Sequence, residues 1–314
     1  MVICCRDCLE LMSGMSRARK QRSGEEEQPL LGAHVSTGGG IARAVERAST
    51  IGCTAMQIFV KNNMRWFAQP LNEGEISAFR EHPLRHSLRC VFGHSGYLIN
   101  LAARDPAFHE LSVRSLCEEL VRADRLGLPF LVLHPGAHMG EGVEMGLEKV
   151  VASLDAIFKT VPRVKTRIAL ETTAGQGSSL GRTFEELAFI LRGCRQPERL
   201  CICIDTAHLF AAGYDLHTEE GIRRTFARFR RVIGFERLAA IHMNDSKTPA
   251  GSHVDRHEHI GKGKIGLHVF RYIMREPRFR NIPKVIETPK GRDMAEDVVN
   301  LGMLRSLCRE PVPA

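Results

Sequence analysis

The sequence predicts an α/β fold, a (β/α)8 or TIM barrel whose active site lies at the carboxyl ends of the strands. From Leu31 onward, short β-branched or apolar runs alternate with longer amphipathic stretches, as in a parallel sheet with crossover helices. Eight strands and eight helices can be read in this way over about 280 residues, which matches such a barrel. The long polar segments 61–73, 94–106, 206–217 and 243–265 each follow a strand, at the edge where these barrels build their sites.

The predicted strands are short runs dominated by β-branched and other apolar residues. In chain order they span residues 31–35, 55–60, 89–93, 130–134, 167–171, 201–205, 238–242 and 284–287. The predicted helices are the longer stretches between them, where apolar residues recur at helical spacing, as Leu120, Ala123 and Leu126 do. They lie near residues 39–51, 74–82, 107–126, 144–160, 183–193, 219–233, 266–275 and 293–308. No linker rich in Pro or Ser divides the chain, so residues 31–314 are expected to form one barrel domain.

The composition favours a soluble globular enzyme. No apolar run approaches the ~18 residues of a membrane span, which excludes an integral membrane protein. Three tyrosines and one tryptophan are too few for a module that binds through exposed aromatic side chains. The net charge is +8, and residues 1–30 carry five basic and five acidic residues, so the excess belongs to the barrel. A basic globular domain suits a polyanion such as nucleic acid.

Ten cysteines could suggest a disulfide framework, but seven of them are scattered singly through apolar stretches, as expected of reduced core cysteines in a cytosolic protein. They are Cys53, Cys90, Cys117, Cys194, Cys201, Cys203 and Cys308. Cys4, Cys5 and Cys8 could bind a metal but lack a second ligand pair nearby. Residues 1–30 are therefore expected to be a disordered extension, and they contain no signal peptide pattern. The protein is expected to be cytoplasmic.

Metal-capable side chains stand at the end of nearly every predicted strand. In chain order the strand ends are His34, the Lys-Asn-Asn segment 61–63, His94, His134, Glu171, Asp205, His242 and Glu287. Two loops add His208, three residues after Asp205, and the pair Asp255 and His257, which lie on one side of an extended segment. Because the strand ends of a barrel converge on one rim, these residues are predicted to meet in a single pocket.

A single histidine after a strand is more often a hydrogen-bonded core or capping residue than a metal ligand. Here nine ligand-type residues recur at consecutive strand ends and in two loops, which is too many for coincidence and too many for one ion. Nitrogen and carboxylate ligands without cysteine suit zinc or manganese, and five imidazoles favour zinc. His138, His253 and His259 stand nearby without a partner spacing and are predicted to be loop or supporting residues.

Longer motifs around these residues resemble one known family. They are Gly32-Ala-His-Val-Ser36, His94-Ser-Gly-Tyr-Leu-Ile-Asn-Leu101, His134-Pro-Gly-Ala-His138, Glu171-Thr-Thr-Ala-Gly-Gln-Gly177, Cys203-Ile-Asp-Thr-Ala-His208, Ala211-Ala-Gly-Tyr-Asp215, His242-Met-Asn-Asp245 and Val254-Asp-Arg-His257. In order and spacing, the chain from Leu31 to Glu287 is similar to endonuclease IV, the zinc-dependent apurinic/apyrimidinic (AP) endonuclease of DNA repair.

The resemblance implies a hydrolase that cuts the phosphodiester 5′ to an abasic site in duplex DNA, leaving a 3′-hydroxyl and a 5′-deoxyribose phosphate. It also implies trimming of blocked 3′ ends, action as a monomer, and three Zn²⁺ per chain, with Mn²⁺ an alternative at one position. By the same resemblance, His94 and His134 bind the first ion, Glu171 bridges it to a second ion that also takes Asp205, His242 and Glu287, and His208, Asp255 and His257 hold the third. The nucleophile is then a hydroxide shared by two ions and positioned by Glu171, and the third ion stabilises the leaving 3′ oxygen.

Residues that contact DNA follow from the same resemblance. Tyr97 and Leu98 match the family's residues that insert into the duplex, where an abasic nucleotide is easily rotated out of the stack. The alternative is that these two side chains only pack the rim of the barrel. Asn62, Met64 and Arg65 lie in the loop after the second strand, and Met64 stands where the family carries an inserting arginine. Either Met64 acts as an apolar wedge or Arg65 replaces that arginine.

Two other functions stay open on the sequence alone. A sugar isomerase or epimerase with a single metal would use only Glu171, Asp205, His242 and Glu287, and would leave five ligands and the positive charge without a role. A DNA-binding protein that has lost catalysis would not be expected to keep a complete ligand set. Metal content distinguishes these functions.

Overall fold

A closed parallel barrel forms the centre of the molecule in the computed structural model, which describes residues 28–309. The strands are β1 (Leu31–His34), β2 (Ala55–Phe59), β3 (Cys90–His94), β4 (Phe130–Leu133), β5 (Arg167–Glu171), β6 (Leu200–Asp205), β7 (Leu238–His242), β8 (Asp245–Ser246), β9 (His257–Glu258) and β10 (Lys284–Ile286). β1 to β7 lie side by side in chain order, and β10 closes the ring between β7 and β1. The predicted barrel is confirmed, and each of the eight predicted strands matches an observed one to within one residue at either end.

Helices alternate with the barrel strands and surround them. They are α1 (Ala42–Thr50), α2 (Glu73–Arg80), α3 (Pro106–Arg125), α4 (Val143–Thr160), α5 (Phe184–Gly193), α6 (Thr206–Ala211), α7 (Glu219–Val232), α8 (His268–Arg275) and α9 (Ala295–Arg309). Capping side chains set several helix starts: Asn72 accepts from the backbone N–H of Glu75 before α2, and Asp105 accepts from that of Phe108 before α3. All eight predicted helices are present.

Three kinds of element were not predicted. One is α6, a short helix that begins at the end of β6. Another is the antiparallel pair of β8 and β9 within the long segment that follows β7. The third is a set of single 3-10 turns, at 83–87, 197–199, 235–237 and 277–279. The first two lie on the face where the strands end, so they shape the candidate site.

The core has two layers, one inside the barrel and one between the strands and the helices. Inside, the rings of Phe92 and Phe130 stack with centroids 4.7 Å apart, among small side chains such as Ala169 and Cys203. The outer layer packs the amphipathic faces of the helices onto the outward side chains of the strands. Within residues 28–309, no helix has the length and apolar character that crossing a membrane requires.

Residues 1–27 and 310–314 lie outside the described residues, and with them the predictions for Cys4, Cys5 and Cys8 and for most of the N-terminal extension. At the end of that extension, the carbonyl of Pro29 accepts from Thr54 Oγ1 at 2.6 Å, and the carbonyl of Leu30 accepts from the backbone N–H of Lys284 at 2.9 Å. The chain is therefore attached to the barrel from Pro29 onward.

No disulfide joins the seven cysteines of the described chain to one another, as predicted. Cys53, Cys194, Cys201 and Cys203 are buried. Cys308 was expected to be a core residue, but it is exposed. Cys308 follows the buried Leu307 in α9, the last helix of the described chain.

Candidate metal centre

Six of the nine candidate ligands lie on the inward face of the barrel, directly above its core. Side chains alternate between the two faces of a strand, and each ligand at a strand end stands two residues after an inward core residue. These pairs are Phe92 and His94, Val132 and His134, Ala169 and Glu171, Cys203 and Asp205, Ala240 and His242, and Val285 and Glu287. The alternation that fills the barrel interior therefore also directs six ligand-type side chains towards one point.

The first cluster consists of His94, His134 and Glu171. His94 Nε2 lies 3.2 Å and His134 Nε2 lies 2.9 Å from Glu171 Oε2. The possible ligand atoms of the three residues all lie within 4.8 Å of one another. His94 and Glu171 are buried, whereas the side chain of His134 is 39% exposed, so this cluster opens to the surface on the side of His134.

The second cluster shares Glu171 with the first and adds Asp205, His242 and Glu287. His242 Nδ1 lies 2.8 Å from Glu171 Oε1, 3.2 Å from Glu287 Oε2 and 3.7 Å from Asp205 Oδ2. The Oε2 atom of Glu171 thus faces one cluster and its Oε1 atom faces the other. A carboxylate in this position can bridge two cations.

The third cluster is carried by α6 and by the hairpin of β8 and β9. Asp255 lies between two imidazoles, with His208 Nε2 at 3.1 Å from its Oδ2 and His257 Nε2 at 3.4 Å from its Oδ1. Asp205 also reaches this cluster, since its ligand atom lies within 4.8 Å of those of His208 and His257. The Asp205 carboxylate caps α6 by accepting from the backbone N–H of His208 at 2.8 Å. This hydrogen bond fixes the backbone position that carries the His208 imidazole.

Four of the five imidazoles are oriented by a carbonyl oxygen on the side away from the clusters. The pairs are His94 Nδ1 with Ser95 O (2.8 Å), His208 Nδ1 with Thr172 O (2.8 Å), His242 Nε2 with Gln57 Oε1 (2.7 Å) and His257 Nδ1 with Glu287 O (3.3 Å). Because a carbonyl only accepts, a neutral ring places its proton there and directs its lone pair into the cluster.

This arrangement is the one expected of metal-binding histidines. The Nε2 atoms of His208 and His257 are buried and have no hydrogen-bond partner, although carboxylates stand beside them. A divalent cation between such nitrogens and carboxylates would satisfy both. The nine residues present therefore fit a metal centre of nitrogen and oxygen ligands.

The electrostatics of the site also call for positive charge. Burial by itself raises the pKa of Glu171, but the imidazoles of His242 and His134 outweigh it and hold that pKa well below its usual range. Burial lowers the pKa of His208, but the carboxylates of Asp205 and Asp255 outweigh it and raise that pKa well above its usual range. Both pKa shifts reflect carboxylates that are stabilised by positive charge beside them, and bound cations would supply such charge.

Two supporting residues of the site were not predicted. Gln57 is fully buried, and its amide donates from Nε2 to Glu287 Oε1 at 2.6 Å while its Oε1 accepts from His242. Asn244 donates to Asp205 Oδ2 at 2.7 Å and accepts from the backbone N–H of Glu287 at 2.7 Å. A signal existed for Gln57, because it stands two residues after the inward Ala55 and is a polar residue on an otherwise apolar inward face.

The residues predicted to contact DNA lie on two neighbouring loops at the mouth of the site. Tyr97 is 65% exposed and Met64 is 63% exposed, Asn62 and Arg65 are also exposed, and Leu98 is half-buried. Tyr97 stands between two clefts of about 960 and 680 Å³. His134 lines the larger cleft and Asn62, His257 and Glu287 line the smaller one, so both open onto the metal clusters.

Most of the barrel matches one described protein family. Residues 45–307 match the family described as xylose isomerase-like TIM barrel. Over 279 residues, the chain is 47% identical to a protein of Geobacter sulfurreducens named probable endonuclease 4. The aligned residues cover 89% of this chain and 94% of that protein.

Two solved structures resemble the chain to different degrees. The crystal structure of endonuclease IV from Thermus thermophilus superposes with a TM-score of 0.79 at 34% identity, over 89% of this chain and 98% of that one. A D-tagatose 3-epimerase-like protein superposes with a TM-score of 0.66 at 20% identity, over 88% of this chain and 98% of that one. The second likeness concerns the fold alone.

Proposed function

This chain belongs to the endonuclease IV family, and from that membership we propose that it is a DNA repair hydrolase that cuts the phosphodiester 5′ to an abasic site in duplex DNA. The products would be a 3′-hydroxyl and a 5′-deoxyribose phosphate, and the same site would trim blocked 3′ ends. The observation that carries the proposal is the set of three ligand clusters at one rim, two of which share Glu171.

We propose that the nine residues hold three zinc ions, with manganese an alternative at one position. His94, His134 and Glu171 would hold the first ion, and Glu171, Asp205, His242 and Glu287 the second. Asp255, His208 and His257 would hold the third, with Asp205 close enough to assist. When bound, such ions activate water for attack on a phosphodiester and offset the charge that develops on the leaving oxygen.

The side chains of the protein orient this chemistry. Glu171 would hold two sites at a fixed spacing, since its two oxygens face different clusters. The carbonyls behind the imidazoles would hold the rings in place, and Gln57 does so for His242. The buried floor of the site leaves His134 and the clefts beside Tyr97 as the route by which a phosphate reaches the ligands.

Selection for abasic DNA would come from the loops. Tyr97 is exposed next to His94, with ring centroids 6.5 Å apart, so a side chain inserted into the duplex would stand beside the metal clusters. Asn62, Met64, Arg65 and Leu98 would contact DNA from the same face. The net charge of +8 favours binding of a polyanion. We further propose that residues 31–314 act as one domain and as a monomer.

A single-metal sugar isomerase or epimerase is the second candidate, because the matching family description and the epimerase-like structure share this barrel. That function would use the second cluster alone. It gives no role to His208, Asp255 and His257, although the buried Nε2 atoms of the two histidines lie beside the Asp255 carboxylate and form a further cluster with it. The 47% identity to a protein named as an endonuclease also favours the nuclease.

The test is incision of a duplex that carries one abasic analogue, with and without a strong chelator, together with elemental analysis. Cleavage on the 5′ side that needs metal, with close to three zinc ions per chain, is expected. Glu171→Gln should abolish incision while the affinity for DNA changes by only about two- to threefold. The substitution removes the carboxylate that bridges two clusters but leaves the loops that would contact DNA intact. The matched control is Glu144→Gln on the exposed surface of α4, which should incise as the unaltered protein does. No incision with about one metal per chain would favour the isomerase, and a screen of small sugars would follow.

A further inference from the structure

One face of α3 holds the loop that follows β2. Five of its side chains, at positions three or four apart, reach the loop, and four of them bind its backbone directly. Ser115 Oγ donates to Trp66 O (2.7 Å), and Glu118 Oε1 accepts from the backbone N–H of Ala68 (3.0 Å). The Glu119 carboxylate pairs with Lys61 Nζ (2.6 Å). Arg122 donates from Nε to Val60 O (2.9 Å) and from Nη1 to Gln69 O (2.7 Å), and Arg125 Nη1 donates to Leu71 O (2.7 Å). The loop from Val60 to Leu71 is therefore fixed along its length by one helix.

The central contact is a buried ion pair. The side chains of Lys61 and Glu119 are 2% and 0% exposed, with Nζ and Oε1 2.6 Å apart. Lys61 Nζ also donates to the carbonyl of Arg65 at 2.6 Å, so the pair extends into the part of the loop that carries Met64 and Arg65. Removing two charges from water costs about as much as their attraction returns, so such a pair contributes more to geometry than to stability.

Glu119 joins this loop to a second one. Its Oε2 accepts from the backbone N–H of Gly96 at 3.1 Å, immediately before Tyr97. The two loops also touch directly, because the backbone N–H of Tyr97 donates to the carbonyl of Asn63 at 3.2 Å. A Cβ atom at Gly96 would lie 3.1 Å from Asn63 O and 3.2 Å from Glu119 Oε1, so only glycine permits this close approach without displacement.

We propose that Glu119, with Lys61, is a positioning residue that sets the loop of Asn62, Met64 and Arg65 in register with Tyr97 and Leu98. The two loops then meet abasic DNA as one preformed unit, although Glu119 itself is buried and touches no DNA. This inference rests on the proposed function, since it assumes that these loops contact DNA. It assigns to α3 a role in recognition that the metal ligands do not have.

The test compares Glu119→Gln with the matched control Glu110→Gln, an exposed glutamate on the same helix. Glu119→Gln should weaken the affinity for an abasic duplex about tenfold, as expected when a buried polar partner is lost, with kcat and zinc content unchanged. Glu110→Gln should leave all three unchanged. Equal affinity in the two variants would overturn the proposal.

A double variant separates positioning from general stability. Glu119→Gln alone leaves the buried Lys61 ammonium unpaired, and so it should lower the melting temperature. Adding Lys61→Met removes that charge and should restore the melting temperature, but it also removes the link to the Arg65 carbonyl. The affinity for abasic DNA should therefore stay low. If the affinity instead recovers with the melting temperature, the pair is structural and the proposal is wrong.

Hydrogen exchange tests the link between the loops without DNA or activity. In the double variant the Tyr97 amide, which donates to Asn63, should exchange at least about tenfold faster than in the unaltered protein, while amides within β3 should not change. Unchanged exchange at Tyr97 would overturn the proposal even if incision is normal. If the unaltered protein does not incise abasic DNA, the proposed function fails, and exchange still decides whether Glu119 couples the loops.

Discussion

Lys284 is a buried cation whose replacement should stabilise the protein at neutral pH. It lies in β10 with 1% of its surface exposed, on the outward face opposite Val285, and its Nζ donates to the carbonyls of Phe279 (2.5 Å) and Ile282 (2.9 Å). Burial lowers the pKa of this ammonium from 10.5 to about 8. The structure therefore holds a charge at pH 7 that the surroundings disfavour.

The magnitude follows from the shift in pKa. A difference of about 2.5 units between the unfolded and folded chain corresponds to roughly 3 kcal/mol of lost stability at pH 7. Lys284→Met removes that cost but leaves the Ile282 carbonyl without this donor, which costs about 1 kcal/mol. The Phe279 carbonyl keeps a second donor, the backbone N–H of Ile282. The variant should thus be about 2 kcal/mol more stable at pH 7.

The sign of the pH dependence is set by which state binds more protons. Between about pH 8 and 10.5 the unfolded chain keeps the Lys284 proton and the folded chain has lost it, so the unaltered protein gains stability as pH rises. The advantage of Lys284→Met should accordingly shrink above about pH 8 and reverse between about pH 9 and 10.

Urea unfolding of both zinc-loaded proteins from pH 7 to 10 measures this difference directly. The control is Lys159→Met, an exposed lysine near the end of α4, for which the difference from the unaltered protein should stay flat. A Lys284→Met difference that is also flat across this range, or a destabilised variant at pH 7, would show that the ammonium is better solvated than its burial indicates.

Three further predictions concern the site. Chelation should lower the melting temperature and abolish incision, both restored by zinc, because the carboxylates lose their counter-charge; incision that survives exhaustive chelation would exclude the metal mechanism. Gln57→Leu should weaken zinc binding about 10- to 100-fold in a competition titration, since His242 loses the carbonyl that orients it, and unchanged affinity would count against that role. Tyr97→Ala should weaken binding to abasic DNA more than to intact duplex with little change in melting temperature, because the side chain is exposed; equal losses would make Tyr97 structural.

The fold was predictable because each strand and helix carries its own local signal. Short apolar strands such as β5 and β7 and capped helices such as α3 depend on neighbouring residues only. The position of the ligands was predictable for a related reason, since a side chain at the carboxyl end of any barrel strand must lie on the same rim. Glu171 and His242 are 71 residues apart in the chain and 2.8 Å apart in space.

Features that depend on contacts between distant segments could not be predicted. α6 was not predicted because its six residues overlap the strand-end motif, and β8 and β9 are two residues each. Gln57 in β2 acquires its role only when β7 brings His242 to it, 185 residues later. The contacts of α3 with the loop after β2 join residues 49 to 62 positions apart, and nothing in the local sequence distinguishes Glu119 from a solvated glutamate.

The distribution of the proposed ligands along the chain would make metal binding depend on a chain that extends through β5. β1 to β4 and the residue after them supply His94 and His134 only, and Glu171 and the remaining ligands come from the second half of the barrel. A nascent or proteolysed chain that ends before β5 holds no complete cluster, so it would not compete for zinc with finished molecules. The amount of tightly bound zinc in a preparation should therefore report chains that extend through β5 rather than total polypeptide.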